Sequence, residues 1–138
     1  MRRLAALLGL AALAACNTDI DQSTRPDKIA GTYHLVSLAG APLPAPTTID
    51  TKSAQLISGG LVLTANGTWA ETLTLTTASP TGIKQLVTSS GGGTWVILRD
   101  QAYIAFMDLR NAYSFSGVGS GNMIVLRTIG GQEMVYRR

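Results

Sequence analysis

Residues 61–77 read Leu-Val-Leu-Thr-Ala-Asn-Gly-Thr-Trp-Ala-Glu-Thr-Leu-Thr-Leu-Thr-Thr. From Thr68 to Thr77 the chain alternates. Trp69, Glu71, Leu73 and Leu75 fall on one phase, and Thr68, Ala70, Thr72, Thr74 and Thr76 on the other. A period of two is that of a strand with one buried and one wet face. Asn66-Gly67 lies between this run and Leu61-Val62-Leu63-Thr64, and that dipeptide readily takes the positive φ angles of a tight hairpin turn. The stretch therefore predicts an antiparallel hairpin.

The same texture continues on both sides. From Ile29 onward no segment shows a 3.6-residue period, whereas short runs rich in Val, Ile, Leu, Thr and aromatics recur between Gly, Asn, Ser and Pro. Further strands are expected at 31–39, 53–58, 83–88, 93–98, 102–108, 112–117, 122–127 and 132–137. Ser79 to Gly82, Gly91-Gly92, Arg99 to Gln101, Leu109 to Asn111, Gly117 to Gly121 and Gly130-Gly131 are read as the turns. Eight to ten short strands with short links make an antiparallel meander, and such a meander tends to close so that no edge is exposed. The expected fold is all-β, an up-and-down β-barrel, with a β-sandwich or a META-type β domain as alternatives. In Gly40 to Asp50, Pro42, Pro44 and Pro46 cannot donate to a ladder and favour an extended loop, a flap over one barrel end.

The N-terminus has a different character. Arg2-Arg3 precede an apolar run from Leu4 to Leu13, followed by Ala14-Ala15 and Cys16. That run is too short to span a hydrocarbon core, which needs about twenty residues, and reads as an export signal. Leu13-Ala14-Ala15-Cys16 resembles the bacterial lipobox, and Cys16 is the chain's one cysteine. The resemblance implies a lipoprotein: residues 1–15 removed, Cys16 lipidated, and the chain held to a membrane by its acyl chains. Asn17 after the Cys, where the family's retention signal has Asp, implies sorting to the outer membrane, facing the periplasm. Residues 16–28 are polar and nearly free of apolar side chains, so they read as a tether ahead of a domain at 29–138. A dozen flexible residues span about 20 Å.

Ile29-Ala30-Gly31-Thr32-Tyr33-His34-Leu35-Val36-Ser37-Leu38 resembles the opening strand of lipocalin-like domains, Gly-x-Trp followed by alternating apolar residues, with Tyr33 at the Trp position. The family commonly packs an Arg of the last strand across this aromatic, which here implies Arg137 or Arg138. It also implies a cup for a small hydrophobic molecule.

Composition narrows the chemistry. The formal charge of +3 includes Arg2 and Arg3; beyond the signal nine basic residues face eight acidic ones, scattered without a cluster to track phosphates, so no nucleic-acid partner is expected. His34 is the only histidine, on the phase of Val36 and Leu38, which reads as a packed or surface side chain and leaves no imidazole set for a metal. No Gly-x-Ser-x-Gly elbow exists, no two carboxylates are marked as neighbours, and the Gly runs lack a following Lys-Ser/Thr. No catalytic residue, metal or cofactor is expected. Trp69, Glu71 and Trp95 are the candidate ligand-binding residues. Glu71 shares the inward phase, where a carboxylate needs a partner. It reads either as a polar anchor of a cavity beside Trp69 or as a rim position or register break that reaches water. The expectation is a lipid-anchored envelope protein binding a small hydrophobic ligand; the alternative is a solid barrel that contacts another envelope protein.

Overall fold

A computed structural model describes residues 26–79, 81–98, 103–120, 122–128 and 130–138, without the side chains of Pro26, Asp27 and Tyr113. The signal segment, Cys16 and the tether up to residue 25 lie outside the described residues. One helical turn, α1 (Pro26–Ile29), leads into ten strands: β1 (Gly31–Leu38), β2 (Ala41–Pro42), β3 (Ala45–Ile49), β4 (Lys52–Leu63), β5 (Thr68–Ala78), β6 (Lys84–Leu98), β7 (Tyr103–Asp108), β8 (Tyr113–Ser120), β9 (Met123–Arg127) and β10 (Glu133–Arg137). Pro26 fits the first turn of α1, where its missing N–H would find no partner anyway.

Antiparallel neighbours run from β4 through β10 to β1, and β1 pairs back onto β4, Gly31 with Leu63 through His34 with Gly60. Eight strands thus close a barrel. Closure is confined to its lower half. Above His34 and Gly60 the two strands part, and each carries a register shift at this level, at Val36 in β1 and at Ile57 in β4. Such bulges bend a strand and sharpen its twist. The gap is filled by β2 on the flank of β1 and β3 on the flank of β4. The proline segment is therefore not the expected loop. It forms two short edge strands joined through a cis Leu43–Pro44 bond, with Pro46 opposite Gln55 on the outermost strand, where its lack of an N–H removes no ladder bond on the free side.

The bulge in β1 also corrects the phase read for that strand. Tyr33 and Leu35 are buried and His34 and Val36 are exposed, as strict alternation requires, but the extra residue turns Leu38 inward, away from the phase of His34.

Three hairpins share one sequence rule. In Thr64-Ala65-Asn66-Gly67 the Gly67 amide donates to the Thr64 carbonyl at 3.0 Å, Gly67 takes φ +86°, and the Thr68 amide donates to the Thr64 hydroxyl at 3.1 Å. Ser79 to Gly82 and Thr128 to Gly131 repeat all three features. Each is a turn followed by a left-handed glycine, with Ser or Thr in front to hold the returning strand. The hairpin turn expected at Asn66-Gly67 is thus present, as a three-residue loop in which Gly67 has positive φ.

Two glycine runs read as turns lie inside strands. Gly91 to Gly93 belong to β6, which merges the two strands expected at 83–88 and 93–98, and Gly117 and Gly119 belong to β8. Their smallness serves packing. A Cβ on Gly93 would lie 1.9 Å from the Met107 carbonyl oxygen and 3.0 Å from Trp69 Nε1. Trp69 rests on this bare patch and donates to Met107 O at 3.1 Å.

The lower half is solid. Trp69 meets Phe106 and Phe115 edge-on at 5.9 and 5.3 Å, and the two phenyl rings stack at 4.9 Å. Each such contact contributes about 0.5–1.5 kcal/mol beyond area burial. Tyr33, Leu61, Leu63, Trp95, Ile104, Ile124 and Ile29 complete the plug. Outside it, Arg138 Nη2 donates to the carbonyls of Lys28, Ile29 and Ala30 at 2.7, 2.8 and 2.7 Å and to Tyr33 Oη at 2.8 Å, and its Cζ lies 4.8 Å from the Tyr33 ring centre. The arginine implied for this place is Arg138. It latches α1 and the last strand over one end of the barrel.

Candidate functional site: a cup with a carboxylate floor

Above the aromatic plug the described residues leave the barrel hollow and open. Two adjoining hollows of about 410 Å³ each share Thr48, Leu73, Thr128, Gln132 and Met134, so they form one cup. The size falls in the usual range for small-molecule sites, about 300–1,000 Å³. Its walls are Leu38, Ile49, Leu56, Leu73, Leu75, Val87 and Met134, with Phe115 and Leu126 lower down. These strand ends lie opposite the latched end, since Leu38 and Met134 face one another where β1 finishes and β10 begins. The splay of β1 from β4 and the upward reach of β4, β5 and β6 build the wall, because β6 has β7 beside it only from Gly93 onward.

Glu71 lies at the floor. The β5–β6 ladder runs unbroken from Thr68 to Ala78, so no register slip turns the side chain outward. Its Oε1 accepts a hydrogen bond from the hydroxyl of Tyr136, a fully buried residue on the inward phase of β10. Burial pushes the Glu71 carboxyl above the usual carboxylate range, and the Tyr136 hydrogen bond opposes that only in part. Burial and the nearby carboxylate push the Tyr136 phenol up as well, so it remains a donor. The carboxylate makes no second hydrogen bond among the described residues, while no buried side-chain oxygen there lacks a partner, so its remaining oxygen opens into the cup. The rim is polar: Thr48, Thr128, Gln132 and the exposed Arg127.

Of the three candidate residues, only Glu71 lines the cup. Trp69 lies beneath it in the plug, and Trp95 is in the latched half, donating from Nε1 to Thr64 O at 3.1 Å. Sequence reasoning missed Tyr136, whose signal was its shared phase with Met134, and the aliphatic wall, which resembles core until the strand ends are placed. No protein-family model matches the chain, and no curated protein matches it.

Proposed function

We propose that this protein is a bacterial envelope lipoprotein, anchored through acylated Cys16 in the outer membrane and facing the periplasm, whose barrel holds a small hydrophobic ligand without transforming it. The observation that carries this reading is the cup: an apolar hollow, open to solvent, above a plug that already supplies a core. Apolar wall left wet costs roughly 25 cal/mol per Å², so an occupant that covers it gains that stabilisation. Lys28 and Ile29, which lead into β1, lie at the latched end, opposite the cup.

Native mass spectrometry of the gently purified full chain, compared with its denatured mass, tests the ligand. A stoichiometric extra mass lost on denaturation supports the reading; a bare mass, with no thermal shift from a panel of lipids and apolar dyes, removes it. Incorporation of a clickable palmitate analogue that disappears in Cys16→Ser tests the anchor.

One observation favours the second reading, a surface for an envelope protein partner. Val96 and Met107 are 57 % and 52 % exposed, and with Leu98, Tyr103 and Val118 they form a contiguous apolar strip on the outer face of β6, β7 and β8. Crosslinking in cells from position 96 or 107 to a single protein species would support it.

A further inference from the structure

The cup is apolar on its walls and acidic at its floor, and that combination discriminates among ligands. Among the described residues Glu71 has one hydrogen-bond donor, Tyr136, and no lysine, arginine or histidine there contributes to the balance of effects on its carboxyl. A ligand that fills the cup strips the remaining water from this group. A head that carries a proton to donate replaces that water, and a cationic head also compensates the charge. A carboxylate or phosphate head meets like charge in a dry site. Entered the other way, with an anionic head at Arg127 on the rim and its tail on the floor, such a ligand would press methyl groups onto an uncompensated carboxyl. Arg127 meanwhile is already served by solvent.

We infer that the cup selects an amphipathic amine, an apolar body ending in a protonated nitrogen that Glu71 accepts, over apolar molecules ending in an anion. The Tyr136 hydroxyl occupies one carboxylate oxygen and leaves the other to the ligand. The inference rests on the reading of the cup as a ligand site.

Isothermal titration calorimetry at pH 7 with decylamine, decanol and decanoate, all below their aggregation limits, tests it on the full chain carrying Cys16→Ser, so that no acyl chain competes. The expected order is amine, then alcohol, then carboxylate, with at least tenfold between the first and last. In Glu71→Gln the amine falls to the level of decanol, while decanol stays within about twofold. In Tyr136→Phe, which keeps the carboxylate and takes away its protein donor, the amine preference persists or grows, so the inference stays testable if Glu71→Gln fails to fold. Decanoate binding as tightly as decylamine overturns the inference while leaving the cup in place. An amine preference unchanged in Glu71→Gln does the same. No heat from any of the three removes the ligand site and the inference together.

Discussion

Replacing Arg138 by alanine measures how much of the barrel's stability rests on its latch. The Nη2 group contacts four oxygens but carries two hydrogens, so its contacts amount to two shared charge-assisted bonds. Charged hydrogen bonds contribute about 1.5–3 kcal/mol each when buried, and the lower end applies to a half-wet site. A cation over a tyrosine at an exposed position adds about 0.5–1 kcal/mol. Ordering a long side chain offsets about 1–2 kcal/mol. The net loss expected in Arg138→Ala is about 2–3 kcal/mol. For a domain of this size that corresponds to a fall of about 8–12 °C in Tm. Tyr33 keeps its own bond to Ile29 O at 2.5 Å, so the core beneath α1 stays satisfied and the loss is not larger. Arg138→Lys recovers less than half, because a point ammonium cannot both stack on the ring and reach several carbonyls. Urea unfolding of wild type, Arg138→Ala, Tyr33→Phe and the double variant gives a coupling energy expected near 1 kcal/mol. A loss below about 0.5 kcal/mol in Arg138→Ala, or additive single effects, would refute the latch.

Four further outcomes are expected. Glu71→Gln, which can still accept from Tyr136, is more stable than wild type at neutral pH in urea titrations, because burial raises the carboxyl and the amide carries no charge to desolvate. The sign follows from the raised carboxyl: the folded state holds its proton above pH 4.5 and the unfolded state does not, so wild-type stability falls as pH rises through that window and the variant's advantage vanishes in acid. Asp108 titrates the other way. Its oxygens accept from the Asn111 and Arg110 amides and the Asn111 side chain, which holds its carboxyl below the usual range; its stabilisation is present above about pH 4 and is lost in stronger acid, so Asp108→Asn is weakened at pH 7 and its deficit shrinks in thermal melts as the pH falls below about 4. Thr51, at φ +68° in the two-residue β3–β4 turn, is strained for a β-branched residue, and Thr51→Gly raises stability by about 0.5–1 kcal/mol in urea titrations. Gly93→Ala drives a methyl into the Met107 carbonyl and is expected to lose about 3 kcal/mol or to fail to accumulate as folded protein; near-native unfolding would contradict the close packing described.

Local pattern carried the architecture. Alternation in 68–77 fixed the faces of β5, and the Ser/Thr-x-x-Gly hairpins lay close to where turn residues cluster. The readings that failed are those decided by distant neighbours. Gly91 and Gly93 resemble turn residues because a glycine's local preference is for turns, yet they serve an indole from the adjacent strand. Continuing the period of two through Gly91, Gly93 and Trp95 would have placed them in a strand. Pro42 and Pro46 sit on edge strands that flank β1 and β4 where these two bulge apart, and a bulge has no composition of its own. Glu71 was legible as inward-facing. Its partner, 65 residues away on the closing strand, was not, because barrel closure sets which inward residues meet.

The two halves of the tube use their inward positions differently. In the lower half every inward position is used for packing: Trp69 lies on Gly93, Phe106 stacks on Phe115, and Tyr33 is fully buried under the latch. That plug and the latch close one end without help from the upper walls. In the upper half, the inward position across from Leu73 is Ser89, and the ring around it carries leucines, threonines and a methionine that leave the centre empty. Bulkier aliphatic side chains at Glu71 and Ser89 would fill that space and remove the desolvated carboxyl, with a gain on both counts. A barrel whose role was only to be solid would gain by that change. Keeping a destabilising acid at the bottom of an apolar hollow instead fits a protein whose stability is completed by what it holds.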